Sequence, residues 1–337
     1  MIFCVNLWKN FSGKGILAMK KILVSCLLTA VIVVAAMVVE AGYFVGNYFV
    51  HFGLERGTAE NPQEPPKAYA LLMPPEARQF TKPDYPSEEW ELTSFDGLML
   101  KATRFSPGQD GHRWVIVAHG YGCTQQNSWY IAANYLARGY QVLTPDLRAS
   151  GASEGRYLTM GYRESRDLVD WAKKIARTDP DAKIILHGVS MGAASVMMAS
   201  AAPELPQNVV ACVEDCGYTD AYDLLAYQLE SSFGLPSFPA MNLLDWRCKA
   251  KTDFSLHEAS PLVAEQHAKI PTLFIHGDKD TLVPPEMARQ LYDASTAPQK
   301  QLLMVSGAVH AAASQQDQKK YFATIRDFVA PYMEGIK

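Results

Sequence analysis

The order of apolar and polar positions predicts two contrasting parts of the chain. Residues 22–39 form an unbroken apolar run without a charged side chain, whereas short apolar runs alternate with amphipathic ones from residue 88 onward. Short apolar runs predict strands covered on both faces, and the amphipathic stretches predict helices between them. The pattern therefore predicts an α/β body with a mostly parallel central sheet flanked by helices.

Eight strands and five helices are predicted within this body. The predicted strands are residues 90–95, 98–105, 114–118, 141–144, 184–187, 209–214, 272–276 and 301–305. The predicted helices are residues 128–138, 163–177, 193–201, 285–294 and 316–331. Residues 217–262 interrupt the alternation, with a helical pattern at 221–230 followed by a turn-rich apolar stretch. We expect a cap over a pocket there, and a longer crossover packed on the sheet is the alternative.

The N-terminal apolar run predicts a membrane-spanning helix. A helix over residues 22–39 is about 27 Å long, close to the roughly 30 Å of a bilayer's hydrocarbon core. Four lysines precede the run and Glu40 follows it. By the positive-inside rule, we expect a cytoplasmic N-terminus at residues 1–21, a membrane anchor at residues 22–45 and an extracellular body.

A cleaved signal sequence is the alternative, and it predicts a secreted body. Met19 followed by two lysines resembles the start of a signal peptide, so Met1 and Met19 both remain candidate start sites. The small residues Ala36 and Ala41 end two weak cleavage motifs. Seven prolines lie between residues 55 and 87, and they predict a linker or strap at residues 46–87 that leads to the body at residues 88–337.

Composition and charge exclude several classes of protein. The 337 residues are 48% apolar and 20% charged, which is typical of a globular protein. Net charge is −4, and because residues 1–21 carry +4, the rest of the chain is acidic. An acidic body lacks the basic face that a nucleic-acid partner requires. The six cysteines show no zinc-binding spacing, so no metal is expected. Cys212 and Cys216 either pair or stay separate thiols.

The chemistry is concentrated at Ser190. The sequence Gly188-Val-Ser-Met-Gly192 joins a predicted strand to a predicted helix, and G-x-S-x-G in that context is a nucleophile elbow. A serine nucleophile needs donors for the oxyanion that its attack creates. We expect them to be the amides of Met191, the residue after the nucleophile, and Tyr121, in the glycine-rich bend after the strand at 114–118.

A serine hydroxyl also needs a base and an acid that orients the base. His310 is the expected base, since it follows the last strand and is the one histidine after Asp280. Asp280 is the expected acid, because in folds with a nucleophile elbow the serine is followed along the chain by the acid and then by the histidine. Asp215, at the end of the preceding strand, is the rival acid, whereas Asp278 directly follows a glycine and is explained as a turn cap.

Four motifs together resemble the α/β-hydrolase superfamily. They are H-G-Y-G at 119–122, the elbow at 188–192, H-G-D-K-D-x-x-V-P at 276–284 and P-D-L-R-A-S-G-A-S-E-G at 145–155. Over residues 90–333 the chain looks like the bacterial esterase/lipase-like serine hydrolases with a short cap. In the last motif Ala149 replaces a common glycine. The resemblance implies the α/β-hydrolase fold and the triad Ser190, Asp280 and His310.

The predicted reaction is two-step acyl transfer to Ser190 from a small-molecule or lipid-like carboxylic ester, with no metal or organic cofactor. An aminopeptidase or a thioesterase that uses the same triad is the alternative. A non-catalytic surface binding protein of the same fold is a further alternative, although such proteins usually lack a member of the triad. A dehalogenase is disfavoured, because its nucleophile is an aspartate.

Overall fold

The central element of the computed structural model is an eight-stranded sheet. The model describes residues 13–57, 63–69, 80–108 and 111–333. The strands are β1 (Ser87–Thr93), β2 (Met99–Phe105), β3 (Arg113–Ala118), β4 (Gln141–Pro145), β5 (Lys183–Val189), β6 (Val209–Asp215), β7 (Thr272–Gly277) and β8 (Lys300–Val305). Their order is β1-β2-β4-β3-β5-β6-β7-β8. Only the pairs β1–β2 and β2–β4 are antiparallel among these strands, which confirms a mostly parallel sheet.

Ten α-helices are described. They are α1 (Gly13–Gly53), α2 (Trp129–Leu136), α3 (Tyr162–Thr178), α4 (Met191–Ser200), α5 (Ala221–Phe233), α6 (Ser237–Thr252), α7 (Pro261–Glu265), α8 (Pro285–Ala294), α9 (Ala313–Gln316) and α10 (Gln318–Met333). All eight predicted strands and the five predicted helices of the body are present, with their ends shifted by up to three residues. The α/β-hydrolase fold is therefore confirmed.

The helices cover the sheet on both faces. Ile116 and Ala118 of β3 point into a core shared with α3 and α4, whereas Val115 and Val117 point into a second core shared with α2 and α10. This alternation follows from the two-residue period of a strand. The carboxyl ends of the parallel strands therefore lie at one edge of a rigid sheet, which is where this architecture places its functional loops.

The first helix is longer than predicted. Residues 18–53 of α1 are long and apolar enough to span a membrane, and none of the most apolar 18-residue window is buried. A membrane anchor and a signal sequence both fit these features. Residues 1–12 of the predicted cytoplasmic segment lie outside the described residues. The linker predicted to begin at residue 46 is wrong at its start, because the helix continues to Gly53. It continues because Val50, one turn before Leu54, is buried against the body.

The segment between β6 and β7 contains three α-helices, α5, α6 and the short α7, rather than the single predicted one. The sequence at the start of α6 is rich in proline and aromatic residues and therefore predicts turns. In the structure, α6 begins after Pro236 and packs against both α5 and α1. Cys212 and Cys216 are separate buried thiols, so the disulfide alternative is not supported.

Candidate active site

The loop between β5 and α4 holds Ser190 in a strained conformation. Its φ of 58° and ψ of −117° lie outside the regions that L-residues favour. The flanking glycines are required by space: a Cβ on Gly188 would lie 2.1 Å from the Gly192 carbonyl oxygen, and one on Gly192 would lie 2.3 Å from the Ala118 carbonyl oxygen. The backbone amide of Ser190 donates to the Asp215 carbonyl at 2.8 Å. This tight turn is the geometry of a nucleophile elbow.

The structure brings together the three residues that the sequence analysis selected. His310 Nε2 lies 2.9 Å from Ser190 Oγ, and His310 Nδ1 lies 2.7 Å from Asp280 Oδ2. Because an ionised carboxylate only accepts, Nδ1 donates to Asp280, and Nε2 is left to accept from the serine hydroxyl. The arrangement can therefore take a proton from Ser190 as its oxygen attacks an electrophile.

The Asp280 carboxylate is fixed at both oxygens. Oδ1 accepts from the amides of Leu282 and Val283, both at 2.9 Å, and Oδ2 also lies 3.3 Å from His276 Nε2. Burial alone would raise the pKa of Asp280, but the hydrogen bonds from His276 and His310 outweigh it and hold this pKa well below its usual range. Asp280 is therefore anionic and oriented toward His310. The contact between His276 and Asp280 was not predicted from the sequence.

The carboxylate of the rival acid, Asp215, is hydrogen-bonded to Tyr321 rather than to His310. Its Oδ2 accepts from the Tyr321 hydroxyl at 2.9 Å, and that hydroxyl also lies 3.0 Å from His187 Nε2. Burial raises the pKa of Asp215 to about 6. No hydrogen bond joins Asp215 to His310 among the residues that the structure describes. The geometry thus favours Asp280 as the acid.

The other candidates at this edge of the sheet have supporting positions. Asp278 Oδ1 accepts from the Gly307 amide at 2.7 Å, which ties the Asp280 turn to the loop that carries His310. His119 Nε2 accepts from the Leu147 amide at 3.0 Å. The first contact fits the turn role expected of Asp278, and the second gives His119 a packing role.

The two predicted oxyanion donors flank the nucleophile. Met191 is the first residue of α4, where backbone amides have no partner within the helix. The loop that contains Tyr121 lies against Ser190, since a Cβ on Gly120 would sit 3.3 Å from the serine Cβ. Tyr121 and Met191 line the same cavity as Ser190. The Tyr121 hydroxyl donates to the Gly53 carbonyl at 2.5 Å.

One group of potential metal ligands exists among the described residues. Cys216 Sγ and ligand atoms of Asp280 and His310 lie within 4.8 Å of one another. The hydrogen bond from His310 Nδ1 to Asp280 Oδ2 accounts for the proximity of these two residues without a metal ion. Burial raises the pKa of Cys216 well above its usual range, so this thiol is a poor ligand and a poor nucleophile.

Ser190 opens into a cavity of about 360 Å³. The cap helices α5 and α6 form one part of its wall, and the carboxyl end of α1 forms another. No side chain that lines this cavity in the described part of the chain is charged. The lining residues that sequence reasoning missed include Phe49 and Phe52 of α1, Leu54 directly after it, and Ala240, Met241 and Leu244 of α6. The pattern Gly42-x-x-x-Gly46 is typical of closely packed helices, and it could have indicated that α1 packs against another helix of the body.

Comparisons with known proteins agree with this architecture. An uncharacterised Bacillus subtilis protein, YqkD, is 27% identical over 248 residues, which cover 72% of this chain and 80% of that protein. A monoacylglycerol lipase from Mycolicibacterium smegmatis is 24% identical over 280 residues, covering 73% of this chain and 98% of the lipase. The solved structure of the Pyrococcus furiosus esterase Pf2001 is similar in fold, with a TM-score of 0.61 and 23% identity over 76% of this chain and 99% of that one.

The sequence model of one family matches most of the body. Residues 127–335 match the prolyl oligopeptidase family. This range covers the elbow, the cap, and the loops that carry Asp280 and His310, and it amounts to more than half of the chain. The protein is therefore a hydrolase that belongs to the prolyl oligopeptidase family and has the α/β-hydrolase fold.

Proposed function

We propose that the protein is a membrane-anchored serine hydrolase that cleaves carboxylic esters. The observation that carries this proposal is the His310 imidazole, bonded at once to Ser190 and to the buried Asp280 carboxylate, beside an uncharged cavity. In this proposal Ser190 is the nucleophile, His310 the general base and acid, and Asp280 the group that orients His310.

The reaction proceeds in two steps. Ser190 Oγ attacks the ester carbonyl carbon while His310 Nε2 takes the hydroxyl proton, and the Asp280 carboxylate stabilises the imidazolium that forms. The amides of Met191 and Tyr121 donate to the oxyanion, and each such donor is typically worth about 3 kcal/mol. His310 then protonates the departing alkoxide, and an alcohol leaves. Water attacks the acyl-enzyme by the same route, releasing a carboxylic acid and free Ser190.

The cavity supports an ester in preference to a peptide with a free amino terminus. An aminopeptidase must compensate the positive charge of the substrate ammonium group, usually with a carboxylate in the pocket. The described lining of this cavity supplies no carboxylate. Peptide-bond cleavage stays the second candidate because the matching family is that of prolyl oligopeptidase. Thioester cleavage by the same triad is a third possibility that the same substrate panel separates.

Charge and hydropathy support the proposed orientation in the membrane. Lysines lie on the N-terminal side of the apolar run, which favours a cytoplasmic N-terminus and an extracellular body. Alkaline phosphatase, which is active only outside the cytoplasm, is a suitable reporter when fused after the body. An inactive fusion, in cells that contain the full-length product, would contradict this orientation.

The catalytic proposal is tested with a fluorophosphonate probe and a substrate panel. We expect the probe to label the wild-type protein and not Ser190→Ala. Ser200→Ala is the matched control, because Ser200 ends the helix α4 that follows Ser190, is buried, and donates to the Met197 carbonyl away from the cavity. The panel contains a p-nitrophenyl ester, a thioester and an aminoacyl anilide, and we expect the ester to be preferred. Wild-type ester hydrolysis by Ser190→Ala would refute the proposed nucleophile.

A further inference from the structure

The carboxyl end of α1 is built into the hydrolase body rather than tethered to it. The Leu158 amide donates to the Leu54 carbonyl at 2.9 Å, and the Arg56 amide donates to the Arg156 carbonyl at 2.8 Å. These bonds form a short antiparallel bridge between the end of α1 and the segment before α3. Val50 is fully buried in the same core as the strands. The orientation of α1 relative to the active site is therefore fixed at this end.

Two glycines allow α1 to pack closely against the cap helix α6. A Cβ on Gly46 would lie 2.7 Å from Arg247 Cβ and 3.1 Å from the Leu243 carbonyl oxygen, and a Cβ on Gly42 would lie 2.6 Å from Leu243 Cδ2. Arg247 Nε donates to Asn47 Oδ1 at 2.8 Å across this contact. Glycines four residues apart let two helix backbones approach in this way. The glycine pair thus joins the apolar helix to the cap.

This contact lies where a membrane-spanning α1 would leave the hydrocarbon. The apolar run begins at residue 22, and about 20 helical residues cross roughly 30 Å of hydrocarbon, so the span ends near Gly42. Tyr43, whose ring also contacts the Arg247 guanidinium of α6, and Tyr48 are both exposed on α1, and Trp246 is 51% exposed on α6. Tyrosine and tryptophan favour the membrane interface. The cap is therefore expected at the bilayer surface.

The same part of α1 reaches the active site. Phe49 and Phe52 line the cavity that contains Ser190, and Leu54 lines it beside them. The Gly53 carbonyl accepts from the Tyr121 hydroxyl, which joins the end of the helix to the predicted oxyanion loop. A chain that enters this cavity from Ser190 contacts α1 on one side and the cap on the other.

We propose that Phe49, Phe52 and Gly53 of α1, with Leu54 directly after it, form a wall of an acyl-binding pocket and make the enzyme selective for esters of long acyl chains, which is the chemistry of a membrane lipid. This proposal rests on the proposed ester hydrolysis. It assigns α1 a role in substrate selection in addition to anchoring, with Phe49 and Phe52 as specificity-determining residues. Gly42 and Gly46 are positioning residues, since they act by holding α1 against α6.

The test compares two esters with the full-length protein in phospholipid nanodiscs. The substrates are p-nitrophenyl decanoate and p-nitrophenyl acetate, which share a leaving group and differ in the apolar chain. Gly46→Val displaces α1 from α6, and Ala41→Val is its matched control on an exposed position of the same helix. Phe52→Ala removes a ring from the pocket wall, and Phe44→Ala is its matched control, because Phe44 is 70% exposed.

We expect the wild-type protein to prefer decanoate. Gly46→Val is expected to lower kcat/KM for decanoate at least about tenfold and for acetate less than about threefold, since only the long chain loses apolar contacts in the transition state. Phe52→Ala is expected to lower the ratio of the two kcat/KM values about threefold or more. Both control variants should keep the wild-type ratio.

Three outcomes overturn the inference. A wild-type protein without a preference for decanoate shows that no acyl pocket is used, while its acetate hydrolysis leaves the proposed function standing. An unchanged ratio in Phe52→Ala shows that α1 is not a wall of the pocket, and this variant decides the matter if Gly46→Val does not fold. A wild-type protein that hydrolyses neither ester and resists the fluorophosphonate probe refutes the proposed function, and the inference with it.

Discussion

Asp280→Asn tests the assignment of the acid, and the structure predicts its effect in atomic terms. Because Asp280 Oδ1 accepts from two backbone amides, an asparagine at this position keeps its oxygen there and turns its NH₂ toward His310. An NH₂ group only donates, so His310 Nδ1 must become the acceptor. The proton of the neutral imidazole then moves to Nε2, which faces Ser190. An Nε2–H group cannot accept the serine proton.

The expected loss in kcat for a p-nitrophenyl ester is about 10³- to 10⁴-fold, the scale reported for the wrong histidine tautomer in a serine triad. Such a loss corresponds to roughly 4–5.5 kcal/mol in activation free energy. Steady-state kinetics measure this loss, and circular dichroism shows whether the variant is folded.

Asp215→Asn is the matched control, because Asp215 is an equally buried aspartate at the end of β6. Its hydrogen bond comes from Tyr321, so kcat is expected to fall less than about tenfold. The reverse result, a large loss in Asp215→Asn and a small one in Asp280→Asn, would show that the acid has been misassigned.

Three further substitutions test the packing and electrostatics around the site. Gly192→Ala places a Cβ 2.3 Å from the Ala118 carbonyl oxygen and should lower the free energy of unfolding by about 3 kcal/mol, measured by chemical denaturation. Gly111→Ala is the control and should be nearly neutral, because a Cβ there has open space. Burial raises the pKa of Glu214 to about 8, so its contribution to stability is lost as pH rises from about 4.5 through 8. Glu214→Gln should therefore flatten the decline of Tm over this range, and an unchanged slope would contradict the assignment. Tyr321→Phe leaves the buried Asp215 carboxylate without its hydrogen-bond donor. This substitution should lower the free energy of unfolding by about 1–3 kcal/mol while kcat changes less than about threefold. A large loss of kcat at unchanged stability would contradict a structural role for Tyr321.

Ser190, Asp280 and His310 were selected from the sequence because each follows a strand whose apolar pattern is clear. The carboxyl ends of parallel strands meet at one edge of the sheet, so residues distant in sequence could be assigned to one site. Asp215 remained a rival because it also ends a strand, and the choice between the two acids depends on the partner of each carboxylate. Those partners, His310 and Tyr321, come from distant loops and helices that local patterns do not place.

The pocket wall could not be predicted in the same way. An apolar helix near the N-terminus predicts a membrane span, and lipid and a protein core favour the same residue types. The apolar pattern alone therefore does not place Phe49 at the cavity, which it lines. The cap helix α6 was missed because Pro239 and its neighbours predict turns. Ala149, where related loops carry glycine, has a φ of 55°, a strained conformation that the sequence pattern alone did not reveal.

The bridge between Leu54 and Leu158 bears on how the body could be released from a cell surface. The two weak signal-cleavage motifs end at Ala36 and Ala41, before Gly42 and Gly46, the glycines that pack α1 against α6. Cutting at either place would free a body that keeps the carboxyl end of the helix, which lines its cavity. Shed and retained forms would then share one substrate preference and differ only in their access to the bilayer.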